Sequence, residues 1–204
     1  MADHKTPKCI VAFSQHLFKP QERENGKKQY NCTLLFNKGQ EGLSELKNIA
    51  AQACIDEWGD KAVQWIKDGL IKTPFLDGDG KQGMNKQSGE RHPGFAGREF
   101  LRVGSGEEHK PVVVDERRNP ILNAGDLPSG SAVYAVINPY CWENKENGKG
   151  VSFGISMLQR VKKAEGDEVL GGGGAPDPDK FFEKIEDDGD TGGNTSDGAG
   201  GLFS

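Results

Sequence analysis

Residues 131–161 read SAVYAVINPYCWENKENGKGVSFGISMLQRV. Two runs rich in β-branched and aromatic residues, 131–142 and 151–161, flank the polar turn ENKENGKG at 143–150. That turn contains Asn147-Gly148, a strong hairpin signal because both residues tolerate the positive φ of a tight turn. An antiparallel hairpin is predicted. Alternation puts Val133, Ala135 and Ile137 on one face of its first strand. Tyr134, Val136, Asn138, Tyr140 and Trp142 fall on the other, provided that Pro139 does not shift the register. The first face reads as core. The second reads either as core or as a platform for flat ligands. Tyr140 and Trp142 are favoured for the platform because they lie near the strand end, beside the Lys145/Lys149 turn.

Upstream, 112–115 and 99–103 read as strands. Residues 73–97, TPFLDGDGKQGMNKQSGERHPGFAG, read as a long Gly-rich loop. A loop of that length inside a domain is usually functional. It and its flanks supply Lys72, Lys81, Lys86, Arg91 and Arg98, with Arg102 just beyond and Phe75 and Phe95 among them. Cations interleaved with rings suit a single-stranded nucleic acid, since cations follow phosphates and rings stack bases. The competing reading is a solvated surface loop with Phe95 tucked into the core.

Leu43, Leu46, Ile49, Ala50, Ala53 and Cys54 recur at three and four, which predicts a helix over 43–58. Gly59 suits its C-terminal stop and Asp60 the next N-cap. A second helix is expected at about 61–69, with Val63, Ile66 and Leu70 on one face. Residues 8–19 and 29–38 read as two strands of a hairpin turned at Asn25-Gly26. The count is six strands and two helices, an α+β or small-barrel layout.

Charge divides the 204-residue chain unevenly. From Glu165 onward eleven carboxylates face two lysines, a net −9. The total is −5, so residues 1–164 carry +4. The Gly-rich acidic end has too little apolar surface to fold and is expected to stay disordered. Gly171–Gly174 reads as its hinge, giving a body at 1–170 and a tail at 171–204. The tail bears Asp187, Asp188, Asp190 and Asp197 and closes on Leu202-Phe203. Two apolar residues on such a leash point to a partner-binding tag rather than a solubility appendage. Phe181-Phe182 is a second docking spot, or part of a short helix.

Other chemistries find little support. Cys9, Cys32, Cys54 and Cys141 are far apart, with no CxxC and no Cys/His ligand pair. They read as core thiols in a reducing cytosol. No metal or cofactor is expected. Asp77-Gly78-Asp79-Gly80 resembles the start of a calcium loop, but Gln82 stands where the sixth-position glycine is required. No nucleotide-binding, hydrolase or zincin signature occurs, so the chain is not expected to be an enzyme. The N-terminus is too polar for a signal peptide, and no apolar run approaches the ~18 residues of a membrane span.

The stretches NCTLLFNK (31–38), TPFLDGDG (73–80), PVVVD (111–115) and AVYAVINPYCWENKENGKGVSFGISMLQRVKKAEG (132–166) resemble, in order and spacing, the phage-type single-stranded DNA-binding proteins. The tail is similar in kind, although here Ser204 follows the aromatic tip. The resemblance implies a mainly β, OB-fold-like five-stranded barrel with inserted helices and a disordered acidic tail. In a simple OB fold the helix follows the third strand. Here the helical period follows the second, so either a strand is hidden or the helices are an insertion.

The function implied is sequence-independent binding and protection of single-stranded DNA in phage replication or recombination, in the infected host's cytoplasm. The expected DNA contacts are Lys72, Lys81, Lys86, Arg91, Phe95, Arg98, Arg102, Tyr134, Tyr140, Trp142 and Lys149. The tail is expected to compete with DNA and to recruit replication or recombination proteins, and a homo-oligomer is compatible with this. The alternatives are a Mg²⁺-dependent nuclease built on Asp77, Asp79 and Asp115, and a structural assembly protein.

Overall fold

The structure is a computed structural model, and it describes residues 2–23 and 26–171. Its strands are β1 (His4–Lys5), β2 (Cys9–Ala12), β3 (Gln21–Glu22), β4 (Lys28–Asn37), β5 (Ile71–Lys72), β6 (Phe75–Asp77), β7 (Arg98–Gly106), β8 (Val112–Val114), β9 (Ala132–Asn144) and β10 (Gly148–Lys162). Two helices, α1 (Leu43–Trp58) and α2 (Lys61–Lys67), follow β4.

The hairpin β9–β10 is the longest pairing and organises the rest. It holds one continuous antiparallel ladder, broken by irregularities between Ile155 and Met157 and between Arg160 and Lys162. Five strands pair in a closed circuit, β9–β2–β4–β7–β10 and back to β9. Every join is antiparallel except β10 with β7, which is parallel through Phe153↔Val103 and Gly154↔Gly104. Closure leaves each of the five with two neighbours and so protects its backbone groups. This ring, with its two helices, is the mainly β architecture expected. The helices lie between the ring's second and third strands in chain order, so they are an insertion.

Alternation held through Pro139. Val133, Ala135 and Ile137 are buried inside the ring with Val11, Leu34, Phe36, Leu101, Phe153 and Leu158. α1 closes one end of the ring with a stripe of Leu43, Leu46, Ala50 and Cys54. Burying each leucine of that stripe contributes about 1.5–3 kcal/mol. Cys9, Cys32 and Cys54 are buried free thiols, and burial pushes Cys9 up to about 12. They act as small apolar side chains, not as nucleophiles.

A second, smaller cluster lies on the outer face of β2, β4 and β7, where Ala12, Leu35 and Phe100 pack against Phe95. This cluster explains the long loop. Residues 73–97 are not structureless: β6 pairs with β7, a 3₁₀ turn spans Lys81–Gly83, and Met84 bridges to Arg91. Gly78 is enclosed by the backbone of Phe95 and Arg98, where no side chain fits.

Three further expectations are corrected. The first strand stops at Ala12, because Phe13 adopts φ 56 and a 3₁₀ turn (Ser14–Leu17) follows. The tight turn near Asn25-Gly26 joins β3 to β4 rather than the two longer strands, and Asn25 itself is outside the described residues. α2 buries only Ala62 and leaves Val63, Ile66 and Leu70 exposed. Seven residues are too few to bury two faces, and Trp65 is the ring that turns inward, against Trp58. Asp60 precedes α2 without a side-chain capping bond.

Candidate nucleic-acid interface

The outer face of the β9–β10 hairpin carries the residues left over from the core. Its rows follow from the register. Trp142 pairs with Gly150, and Gly150 pairs with Lys72. Tyr140 pairs with Ser152. Asn138, Gly154, Gly104 and Asn31 form one row across four strands. Val136, Met157 and Val112 form the next, and Tyr134, Gln159 and Val114 the last.

The floor is therefore glycine and serine, and the walls are rings. Glycine in a strand marks a place where another group approaches closely. The indole of Trp142 lies over Gly150, so closely that no Cβ fits beneath it. Its Nε1 donates to Ser152 Oγ at 3.0 Å, which fixes the ring's orientation. Lys72 Nζ sits 6.0 Å from the Trp142 centroid, at the outer limit of cation–π attraction. Tyr140 is 41% exposed. At Gly154 an added Cβ would meet Asn138 Oδ1 at 2.5 Å, and at Gly104 it would meet the Tyr30 carbonyl at 2.9 Å. The result is a strip, the trough, whose glycines already lie under the Trp142 ring and beside the Asn138 amide, with rings and a cation at one end.

The other end holds Tyr134, with Lys5 Nζ 4.1 Å from its ring centroid. Arg102 shares its face of β7 with Gly104 and donates to the Gln82 carbonyl at 3.2 Å. That bond sets the Lys81–Gly83 turn beside the trough.

The structure thus brings together Lys72, Arg102, Tyr140 and Trp142, with Lys81 on the neighbouring turn and Tyr134 at the far end. It does not bring the remaining expected contacts there. Lys149 points to the opposite face, between Trp58 and Trp65 at 5.4 and 4.9 Å from their centroids. It also pairs with Glu143 at 2.6 Å, so it clamps the hairpin against the helices. Phe95 is 2% exposed and meets Phe100 edge-on, 4.9 Å between centroids. Arg98 donates to the Gly94 carbonyl at 2.9 Å, and Arg91 to the Asp79 carbonyl at 3.0 Å. Both hold the loop's own backbone. Lys86 is exposed on that loop.

The carboxylates proposed for a nuclease are occupied. Lys38 Nζ bridges Asp77 and Asp79 at 2.8 Å each, and the Asp79 carboxylate also accepts from Gly97 N. These bonds push Lys38 up to about 12 and hold both aspartates below the usual carboxylate range. Asp115 accepts from the backbone of Arg117 and Asn119. Among the described residues no group of three or more ligating side chains is arranged for a metal, and no helix is long and apolar enough to cross a membrane.

Several trough residues escaped the sequence reading: Lys5, Gly104, Gly150, Ser152 and Gly154. The signal was present in GKGVSFG, where glycines interrupt a strand at alternate positions. The tail residues Asp187, Asp188, Asp190, Asp197, Leu202 and Phe203, and Phe181-Phe182, lie outside the described residues.

The family described as "Enterobacter phage Enc34, ssDNA-binding protein" matches residues 5–191. The chain belongs to that family. Its fold is also that of solved relatives. The single-stranded DNA-binding protein of bacteriophage Enc34, solved in complex with ssDNA, is 22% identical with a TM-score of 0.55, over 81% of this chain and 89% of that one. The single-stranded DNA-binding protein gp2.5 of bacteriophage T7 is 12% identical with a TM-score of 0.58, over 91% and 97%. No curated protein sequence matches. The Enc34 family is one of binding proteins rather than enzymes.

Proposed function

We propose that this chain binds single-stranded DNA along the outer face of β9, β10, β7 and β4, without reading its sequence. The observation that carries the reading is the row Trp142–Gly150–Lys72 beside exposed Tyr140. A ring packed over a glycine and pinned by its bond to Ser152 offers a stacking surface whose ordering cost is already partly met in the free protein. Each stacked base contributes about 1–3 kcal/mol, and any base can stack. Lys72 and Arg102 neutralise the backbone that runs alongside.

The acidic tail is the counterpart of this face. The net −9 from Glu165 onward, −6 of it in residues 171–204, competes with phosphates for the body's cations. DNA that displaces it frees Leu202 and Phe203 for a replication or recombination protein in the host cytoplasm. The body is residues 1–170 and the tail 171–204. Anisotropy of labelled oligo-dT, titrated with full-length protein and with residues 1–170, tests both ideas. The truncated form is expected to bind more tightly at low salt, with the gap closing as salt screens the tail. Equal affinities at low salt would remove the competition. Absence of binding by both forms would remove the DNA reading.

A further inference from the structure

The loop after β8 has a design that the trough alone does not explain. Its sequence is Asp115-Glu116-Arg117-Arg118-Asn119. Asp115 knots it: the carboxylate accepts from Arg117 N at 2.8 Å, Asn119 N at 2.7 Å and Asn119 Nδ2 at 3.0 Å. Asp115 N also donates to the Asn119 carbonyl at 2.9 Å, and Arg118 N to the Asp115 carbonyl at 3.0 Å. Arg118 is held at φ 68, a left-handed backbone that a branched or long side chain rarely adopts. The loop's second carboxylate, Glu116, is taken by Arg160 at 3.0 Å. Both acids of the loop are thus satisfied by their own neighbours. Arg117 and Arg118 are exposed, and among the described residues neither guanidinium makes an ion pair or hydrogen bond.

The loop's position matters as much as its charge. Val114, one residue before it, shares a row with Gln159 and Tyr134, the last row of the trough. Gln159 Nε2 donates to the carbonyls of Asp115 and Glu116, both at 3.4 Å, so the trough's floor is bonded directly to the loop.

We propose that Arg117 and Arg118 form a fixed phosphate-binding tip that extends the DNA path beyond Tyr134, so that the strand crosses the full length of the hairpin from Trp142 to this loop. The inference rests on the DNA reading above. A backbone held by internal bonds delivers two cations at little backbone ordering cost, and guanidinium is the group best matched to phosphate oxygens.

The test is the salt dependence of oligo-dT binding by full-length protein, comparing wild type with Arg117→Ala/Arg118→Gly. Glycine is chosen at 118 because it adopts φ 68 freely, which keeps the loop's shape while removing the charge. Each phosphate contact on a single strand contributes about −0.7 to the slope of log K against log[salt]. The double variant is expected to lose about 0.7 or more of slope and about tenfold in affinity at low salt. An unchanged slope with wild type still binding would overturn this inference alone, whereas no binding by wild type would overturn the DNA reading beneath it. Tighter binding by the variant would mean that the pair holds another acidic group instead, and would also overturn it. Asp115→Ala separates position from charge. It removes a negative charge, so a net-charge effect would tighten binding, whereas a positioned tip loses affinity when its knot is cut.

Discussion

Replacing Tyr140 and Trp142 together with alanine is expected to weaken oligo-dT binding at least ~30-fold, since stacking contributes about 1–3 kcal/mol per base. The two rings occupy successive rows of the same face, paired with Ser152 and Gly150. Tyr140→Ala alone is the cleaner variant. Its ring is 41% exposed, so removing it costs little packing, and a loss of about 5-fold to 150-fold is expected with the melting temperature nearly unchanged. Trp142→Ala also removes the lid over Gly150 and the bond to Ser152, so part of its effect arrives as disorder in the hairpin. Anisotropy titrations at one fixed salt, paired with thermal melts, separate the two contributions. A double variant that stays folded and binds within about threefold of wild type would remove the stacking platform.

Phe95→Ala is expected to behave in the opposite way. The side chain is 2% exposed and touches Phe100 and His92, with ring centroids at 4.9 and 5.3 Å. Truncating a buried phenylalanine costs about 3–5 kcal/mol. For a domain of this size that corresponds to a fall in Tm on the order of 10 °C. The folded fraction is expected to bind DNA with near-wild-type affinity, because the residue supports the 78–97 loop from below. A variant with wild-type stability and a large loss of affinity would return Phe95 to the DNA.

The contrast between these two rings shows what the sequence disclosed. Period-two alternation located the inward face of β9 (Val133, Ala135, Ile137) and put Tyr140 and Trp142 together on the other, but left open whether that other face was buried. The α1 stripe was legible from its period in the same way. Phe95 was ambiguous because a loop has no period: burial there depends on Leu35 and Phe100, strands distant in sequence that the loop folds over. Lys149 failed by one residue of parity. It neighbours Gly150, which faces the trough, and so itself faces Trp58 and Trp65. Trp58 and Trp65 read as helix residues and gave no sign of meeting a hairpin. Lys5 reaches Tyr134 only because β1 pairs with β9, a contact across most of the chain that no local pattern announces.

The charge asymmetry was the most direct functional signal and also the least structural. Eleven carboxylates after residue 164 set the body's sign without saying where its cations point. Lys72 on β5 and Arg102 on β7 share the outer side of the hairpin, Arg102 with one donor on the Gln82 carbonyl, whereas Arg91 and Arg98 lie on and beside the long loop and donate to its own carbonyls.

The most direct test of the central claim is amide hydrogen exchange of full-length protein with and without saturating oligo-dT. The account predicts that protection gained on binding concentrates at residues 138–142, 150–154 and 102–104, together with Lys72 and the 115–119 loop, and is absent from the solvent side of α1. Protection confined to the helices, or to the 85–92 tip of the long loop, with the hairpin unchanged, would contradict it.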